Sequence, residues 1–101
     1  MPVSTSDAFA FKNATISNTA KSLLDLTFTQ AEIDAADVAW VTVVTAPIRL
    51  RYDSGTPTAS VGHYMDVNTG VPIWGRNNLN NLKFIRASGV DGEVSVTLEK
   101  F

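Results

Sequence analysis

Short apolar stretches punctuated by turn residues run the length of the chain, and their periodicity is that of strands. From Ala8 to Phe28 apolar residues alternate with Ser, Thr and Asn, as in Thr15-Ile16-Ser17-Asn18-Thr19-Ala20. That mixture suits one or two short strands joined by turns. Phe28-Thr29-Gln30-Ala31-Glu32-Ile33 then changes register. Thr29 and Glu32 have capping-box spacing, and Phe28 and Ile33 occupy the two positions of a hydrophobic staple, which predicts a helix of about two turns over residues 29–37.

Val38-Ala39-Trp40-Val41-Thr42-Val43-Val44-Thr45 is rich in β-branched residues and apolar at both parities. It reads as a central strand covered on both faces, with Trp40 in the core. After Pro47, Ile48-Arg49-Leu50-Arg51-Tyr52 alternates cleanly, so this strand keeps one wet face. Asp53 to Gly62 is a long loop opened by the turn cluster Asp53-Ser54-Gly55-Thr56-Pro57. His63-Tyr64-Met65 and Val71-Pro72-Ile73-Trp74 flank Val67-Asn68-Thr69-Gly70 and predict a hairpin-like pair, with Pro72 placing the second strand at a sheet edge. Leu82 to Ala87 and Val94 to Glu99 surround Ser88-Gly89-Val90-Asp91-Gly92 and predict a C-terminal hairpin. About seven or eight short strands and one short helix imply an all-β fold, a β-sandwich or jelly-roll, because two sheets must stack to cover their apolar faces.

The length of 101 residues and the 45% hydrophobic content allow one domain with a modest core. Residues 1–18 are expected to form a flexible N-terminal arm with the first strand, and residues 19–101 the sandwich. Eight Lys and Arg against ten Asp and Glu give no field that would draw the chain to nucleic acid or to an anionic membrane. No run reaches the ~18 apolar residues of a membrane-spanning helix, and the first residues lack the pattern of a secretory signal, so a soluble protein made in the cytoplasm is expected. The absence of cysteine removes disulfides, thiolate metal sites and cysteine nucleophiles.

Candidate chemistry is sparse. His63 is the one histidine, so a general base would have to be His63, paired with Asp53 or Asp66, or a carboxylate. A structural hydrogen bond or a surface contact accounts for it far more readily. No Gly-x-Ser-x-Gly elbow, phosphate-binding glycine loop or calcium-loop spacing occurs, and the acidic residues fall in the helix or in turns. No catalytic, cofactor-binding or metal residues are assigned, and no enzyme is expected. The interface candidates are Arg49, Arg51, Tyr64, Trp74 and Arg76: the arginines for a cationic face, joined by Arg86 and Lys83 if their strands are neighbours, and the aromatics as anchors. For Trp74, followed by Gly75-Arg76-Asn77-Asn78, a core and an interface position are equally open.

The run Arg49-Leu50-Arg51-Tyr52-Asp53-Ser54-Gly55-Thr56-Pro57-Thr58-Ala59-Ser60, followed by Gly62-His63, resembles a pattern in small proteins encoded among the structural genes of tailed bacteriophages. Leu79-Asn80-Asn81-Leu82-Lys83-Phe84-Ile85-Arg86-Ala87 and the closing strand fit the same pattern, so the resemblance covers about the last two-thirds of the chain. It implies a β-sandwich of the virion: a capsid decoration or cement protein that binds the major capsid protein or other virion proteins as a homo-oligomer. The alternative it leaves is a head-to-tail connector, or a tail-associated module with lectin-like ligand recognition. The family supplies no defined site to carry over.

Overall fold

The computed structural model describes residues 7–101, which form eight strands and two short helices. The strands are β1 (Asp7–Ile16), β2 (Lys21–Ser22), β3 (Val38–Val44), β4 (Ile48–Arg51), β5 (His63–Met65), β6 (Gly70–Trp74), β7 (Lys83–Arg86) and β8 (Gly92–Lys100). Helix α1 (Gln30–Ala35) lies between β2 and β3, and α2 (Arg76–Asn81) between β6 and β7. Two antiparallel sheets result, ordered β1-β8-β3-β6 and β2-β7-β4-β5. The first strand pairs with the eighth, the second with the seventh, the third with the sixth and the fourth with the fifth. The chain is thus a long antiparallel ribbon rolled up so that successive pairs alternate between two sheets, with β3–β8 and β4–β7 contacts joining them laterally. This is jelly-roll topology.

The rolled ribbon corrects both expected hairpins. β5 pairs with β4 in one sheet and β6 with β3 in the other, so Asp66 to Thr69 carries the chain across the sandwich. Likewise β7 lies beside β4 and β2 while β8 lies between β1 and β3. The turn chemistry reverses the chain in both places. It does not decide whether the next strand stays in the sheet, which depends on which apolar face must be buried. The edge position read from Pro72 is observed: β6 is the last strand of its sheet.

Alternation sets the core. Ala39, Val41 and Val43 of β3, Val94, Val96 and Leu98 of β8, Ile48 and Leu50 of β4, and Phe84 of β7 point between the sheets and are fully or almost fully buried. Leu23, Leu26, Phe28, Ile33, Leu79 and Leu82 close one end of this cluster from the helices and the connections beside them. α1 forms as expected. The Thr29 hydroxyl accepts the Glu32 N–H at 3.1 Å, and the Glu32 carboxylate accepts the Thr29 N–H at 2.8 Å. α2 is an element that the pattern did not predict. Its sequence, Arg76-Asn77-Asn78-Leu79-Asn80-Asn81, has poor helix propensity, and its N-cap Gly75 offers no side chain. One buried residue, Leu79, anchors it, and Gln30 of α1 donates to Asn80 at 2.7 Å.

β3 corrects a further expectation. Its inner positions are buried, but Trp40 and Thr42 on the outer face are exposed. Beyond Val38, which is buried at the start of the strand, the outer face is open at Trp40 and Thr42, and Trp40 is not a core residue. Of the expected arm, residues 7–16 are β1, paired along β8, and residues 1–6 lie outside the described residues.

Candidate functional site

The registers place α1, the loop from Asp53 to Gly62, α2 and the C-terminus at one end of the sandwich, and the short turns at the other. Two outer sheet faces run between these ends, and the candidate residues divide between them.

The outer face of the β2-β7-β4-β5 sheet carries Arg49, Arg51 and Tyr64. Arg49 lies opposite Tyr64 on one side and Ile85 on the other, and Arg51 lies opposite Lys83. The Arg49 guanidinium sits 5.3 Å from the Tyr64 ring centroid, a cation–π contact. It also donates to the carbonyls of Ala59 at 2.9 Å and Gly62 at 3.0 Å, holding the long loop against the sheet. At Gly62 the backbone has φ +134°, and an added Cβ would meet the Leu50 carbonyl at 3.2 Å, so glycine is required for the chain to pass this closely. Arg51 makes a two-point contact with Asp53, at 2.7 and 3.0 Å, and Asp53 also accepts the Gly55 N–H at 3.1 Å. The side-chain bond from Arg51, reinforced by the Gly55 N–H, lowers the Asp53 pKa from 3.8 to about 2. The most specific stretch of the sequence is therefore in large part a device for shaping one loop, with Arg49 still cationic above it.

Arg86, named with these residues, is turned to the opposite end, where it pairs with Asp91 at 2.8 Å. Trp74 and Arg76 belong elsewhere again. Trp74 ends β6 on the outer face of the other sheet and stacks on Phe101 with centroids 5.6 Å apart and planes 9° from parallel. Arg76 begins α2, two residues further on. The Asp37 carboxylate accepts the Phe101 N–H at 2.8 Å, and its backbone joins Glu99 and Gly75, which ties the C-terminus to the end of β6.

Alternation missed the main feature of this second face. Phe11, Thr97, Trp40 and Pro72 lie side by side across all four strands of the β1-β8-β3-β6 sheet. Phe11 is 58% exposed, Trp40 43% and Trp74 50%. The adjacent row is Asn13, Ser95, Thr42 and Gly70. Both rows are uncharged, and Glu93 and Glu99 lie in the rows beyond them. Exposed aromatics grouped on a regular sheet mark an interaction surface more strongly than the same residues scattered singly. The sequence carries this signal as Phe11 and Trp40, but in a strand apolar at both parities the alternation does not distinguish an outward Trp40 from an inward one.

His63 lines one cleft together with Asp53, Arg51 and Gly62, but no hydrogen bond or ion pair joins it to Asp53 or to Asp66. Its ring stacks on Tyr52 with centroids 5.6 Å apart. Asp53 is engaged by Arg51 and Gly55, and Asp66 accepts the Val67 N–H at 2.7 Å. Tyr52 and His63 border a cleft of about 370 Å³ between the edges of β5 and β6, whose other walls include Leu50, Met65, Val71 and Ile73. Among the described residues no group of three or more His, Cys, Asp or Glu side chains could hold a metal ion. No helix among them is long and apolar enough to cross a membrane. The chain matches no protein-family model, no curated protein and no solved structure. What it defines is a class: a small all-β jelly-roll sandwich with two chemically different outer faces.

Proposed function

We propose that this protein is a non-enzymatic structural component of a tailed-bacteriophage virion, a capsid decoration protein that seats one sheet face on the major capsid protein and stabilises the head. The carrying observation is that Arg49, Arg51, Lys83 and Tyr64 share the outer face of the β2-β7-β4-β5 sheet. Arg51 is balanced by Asp53, but Arg49 bonds only to carbonyls and a ring, so a positive charge remains fixed above the long loop. Such a face fits an acidic patch on a partner and would set orientation and association rate. Burial shared with a lattice of partners would supplement the small core.

The family resemblance rests on the same loop sequence, Arg49 to His63. The jelly-roll is also an architecture that viral capsid and lectin domains use, which is support by fold analogy alone. The reading predicts homo-oligomers on the shell, no bound cofactor, and location in the virion after synthesis in the host bacterial cytoplasm.

The testing experiment is quantitative mass spectrometry of purified virions, comparing this chain with the major capsid protein. Hundreds of copies in a fixed ratio are expected for a decoration protein. About a dozen copies would transfer the protein to the head-to-tail connector or tail, where closed rings are the rule. Finding none would end the virion reading.

A further inference from the structure

We infer that the outer face of the β1-β8-β3-β6 sheet is a binding platform for a neutral, extended, β-linked polysaccharide chain, with Phe11 and Trp40 as stacking surfaces. The inference uses the opposite face from the proposed docking surface and does not depend on it. Phe11 and Trp40 flank Thr97 in one cross-strand row. Neighbouring strands lie about 4.8 Å apart, which sets the two ring-bearing positions about 10 Å apart. That spacing is close to the length of one disaccharide in an extended β-1,4-linked chain, in which every second sugar turns the same C–H face to one side. A chain lying across the strands would place alternate sugars on Phe11 and Trp40, each C–H face meeting the electron-rich face of a ring.

The groups between and beside the rings suit sugar hydroxyls. Thr97 stands between the two aromatics, and Thr42, Ser95 and Asn13 form the parallel row. The Asn13 amide donates to the Ser95 hydroxyl at 3.3 Å, leaving the Asn13 carbonyl and further hydroxyl capacity for a ligand. Hydroxyl and amide groups can both donate and accept, as sugar hydroxyls do, whereas neither row carries a charge to select an ionic ligand. A protein partner docking on this face would need apolar contact from Phe11 and Trp40 but not their π faces. A glycan needs the rings themselves.

That difference gives the test. The full chain is titrated by calorimetry with cellohexaose and chitohexaose, and with the α-linked, curved maltohexaose as the control. At least one β-linked hexaose is expected to bind, with maltohexaose about tenfold weaker or worse. Phe11→Leu and Trp40→Leu keep an apolar side chain but remove the ring, and each is expected to weaken binding by about tenfold with the β-sheet circular dichroism unchanged. Trp40→Phe, which keeps a ring, should retain most of the affinity and guards against a variant that merely folds poorly. The inference is overturned if neither β-linked hexaose binds at about 1 mM. It is equally overturned if maltohexaose binds as well, or if both leucine variants bind like the parent.

Discussion

Asp53 lies at the surface, yet its carboxyl is held well below its ordinary value, at about 2, because Arg51 donates two hydrogen bonds to it and Gly55 a third. Its folded pKa lies below the ordinary 3.8, so the stabilisation it brings is complete above that value and is lost as pH falls through about 2. Asp53→Asn should therefore show less decline in melting temperature than the parent between about pH 4 and pH 2, which thermal melts across that range would measure. An unchanged acid slope would mean that other carboxylates dominate. At this scale the sequence was informative about chemistry and silent about use. Arg49 and Arg51 were recognisable as paired outward cations from their alternation. Arg51 finds its partner two residues away in Asp53, but that Arg49 turns back onto the loop depends on the Ala59 and Gly62 carbonyls, brought close where Gly62 has a positive φ, which no spacing rule displays.

Elements were legible where a local rule decided them. The capping box of α1 needs only Thr29 and Glu32 three residues apart, and both of its hydrogen bonds are present. Thr29→Ala removes one of them and is expected to cost about 1 kcal/mol, read as a lower urea midpoint with an unchanged slope, while Thr29→Ser should restore most of it. α2 escaped because its residues favour turns and its one buried anchor, Leu79, acts only in tertiary context. The strands were found, but their partners were not, since rolling the ribbon puts sequence neighbours β5 and β6, or β7 and β8, in different sheets. Gly92, where β8 begins after such a crossing, shows the cost of the tight passage. A Cβ there would stand 2.6 Å from Ile48 Cγ2 and 2.7 Å from the Ala46 carbonyl. Gly92→Ala should destabilise by about 1–3 kcal/mol through overpacking, and denaturant unfolding would show it. A loss of under half a kilocalorie would mean that the Ala46 turn yields easily.

For the whole molecule, the two faces make different demands on a spectroscopic experiment, and Trp40 connects them to the fold. Both tryptophans lie on the same outer sheet face and about half their surface is open, at 43% and 50%. The isolated chain should therefore emit close to the wavelength of its unfolded state, and unfolding should be followed by β-sheet circular dichroism, since tryptophan emission will change little. Refolding should take milliseconds to seconds, because every pairing except β4–β5 joins distant parts of the chain. Trp74→Phe leaves Trp40 as the sole reporter without removing the ring that stacks on Phe101. Its emission should move to the blue when cellohexaose or chitohexaose covers the β1-β8-β3-β6 face, and stay fixed when a partner engages the Arg49 face. A blue native spectrum that relaxes on dilution would show copies of the chain covering this face for one another. One that persists at every dilution would mean that Trp40 is not exposed, contrary to the structure, and the sheet face could not serve as an open platform.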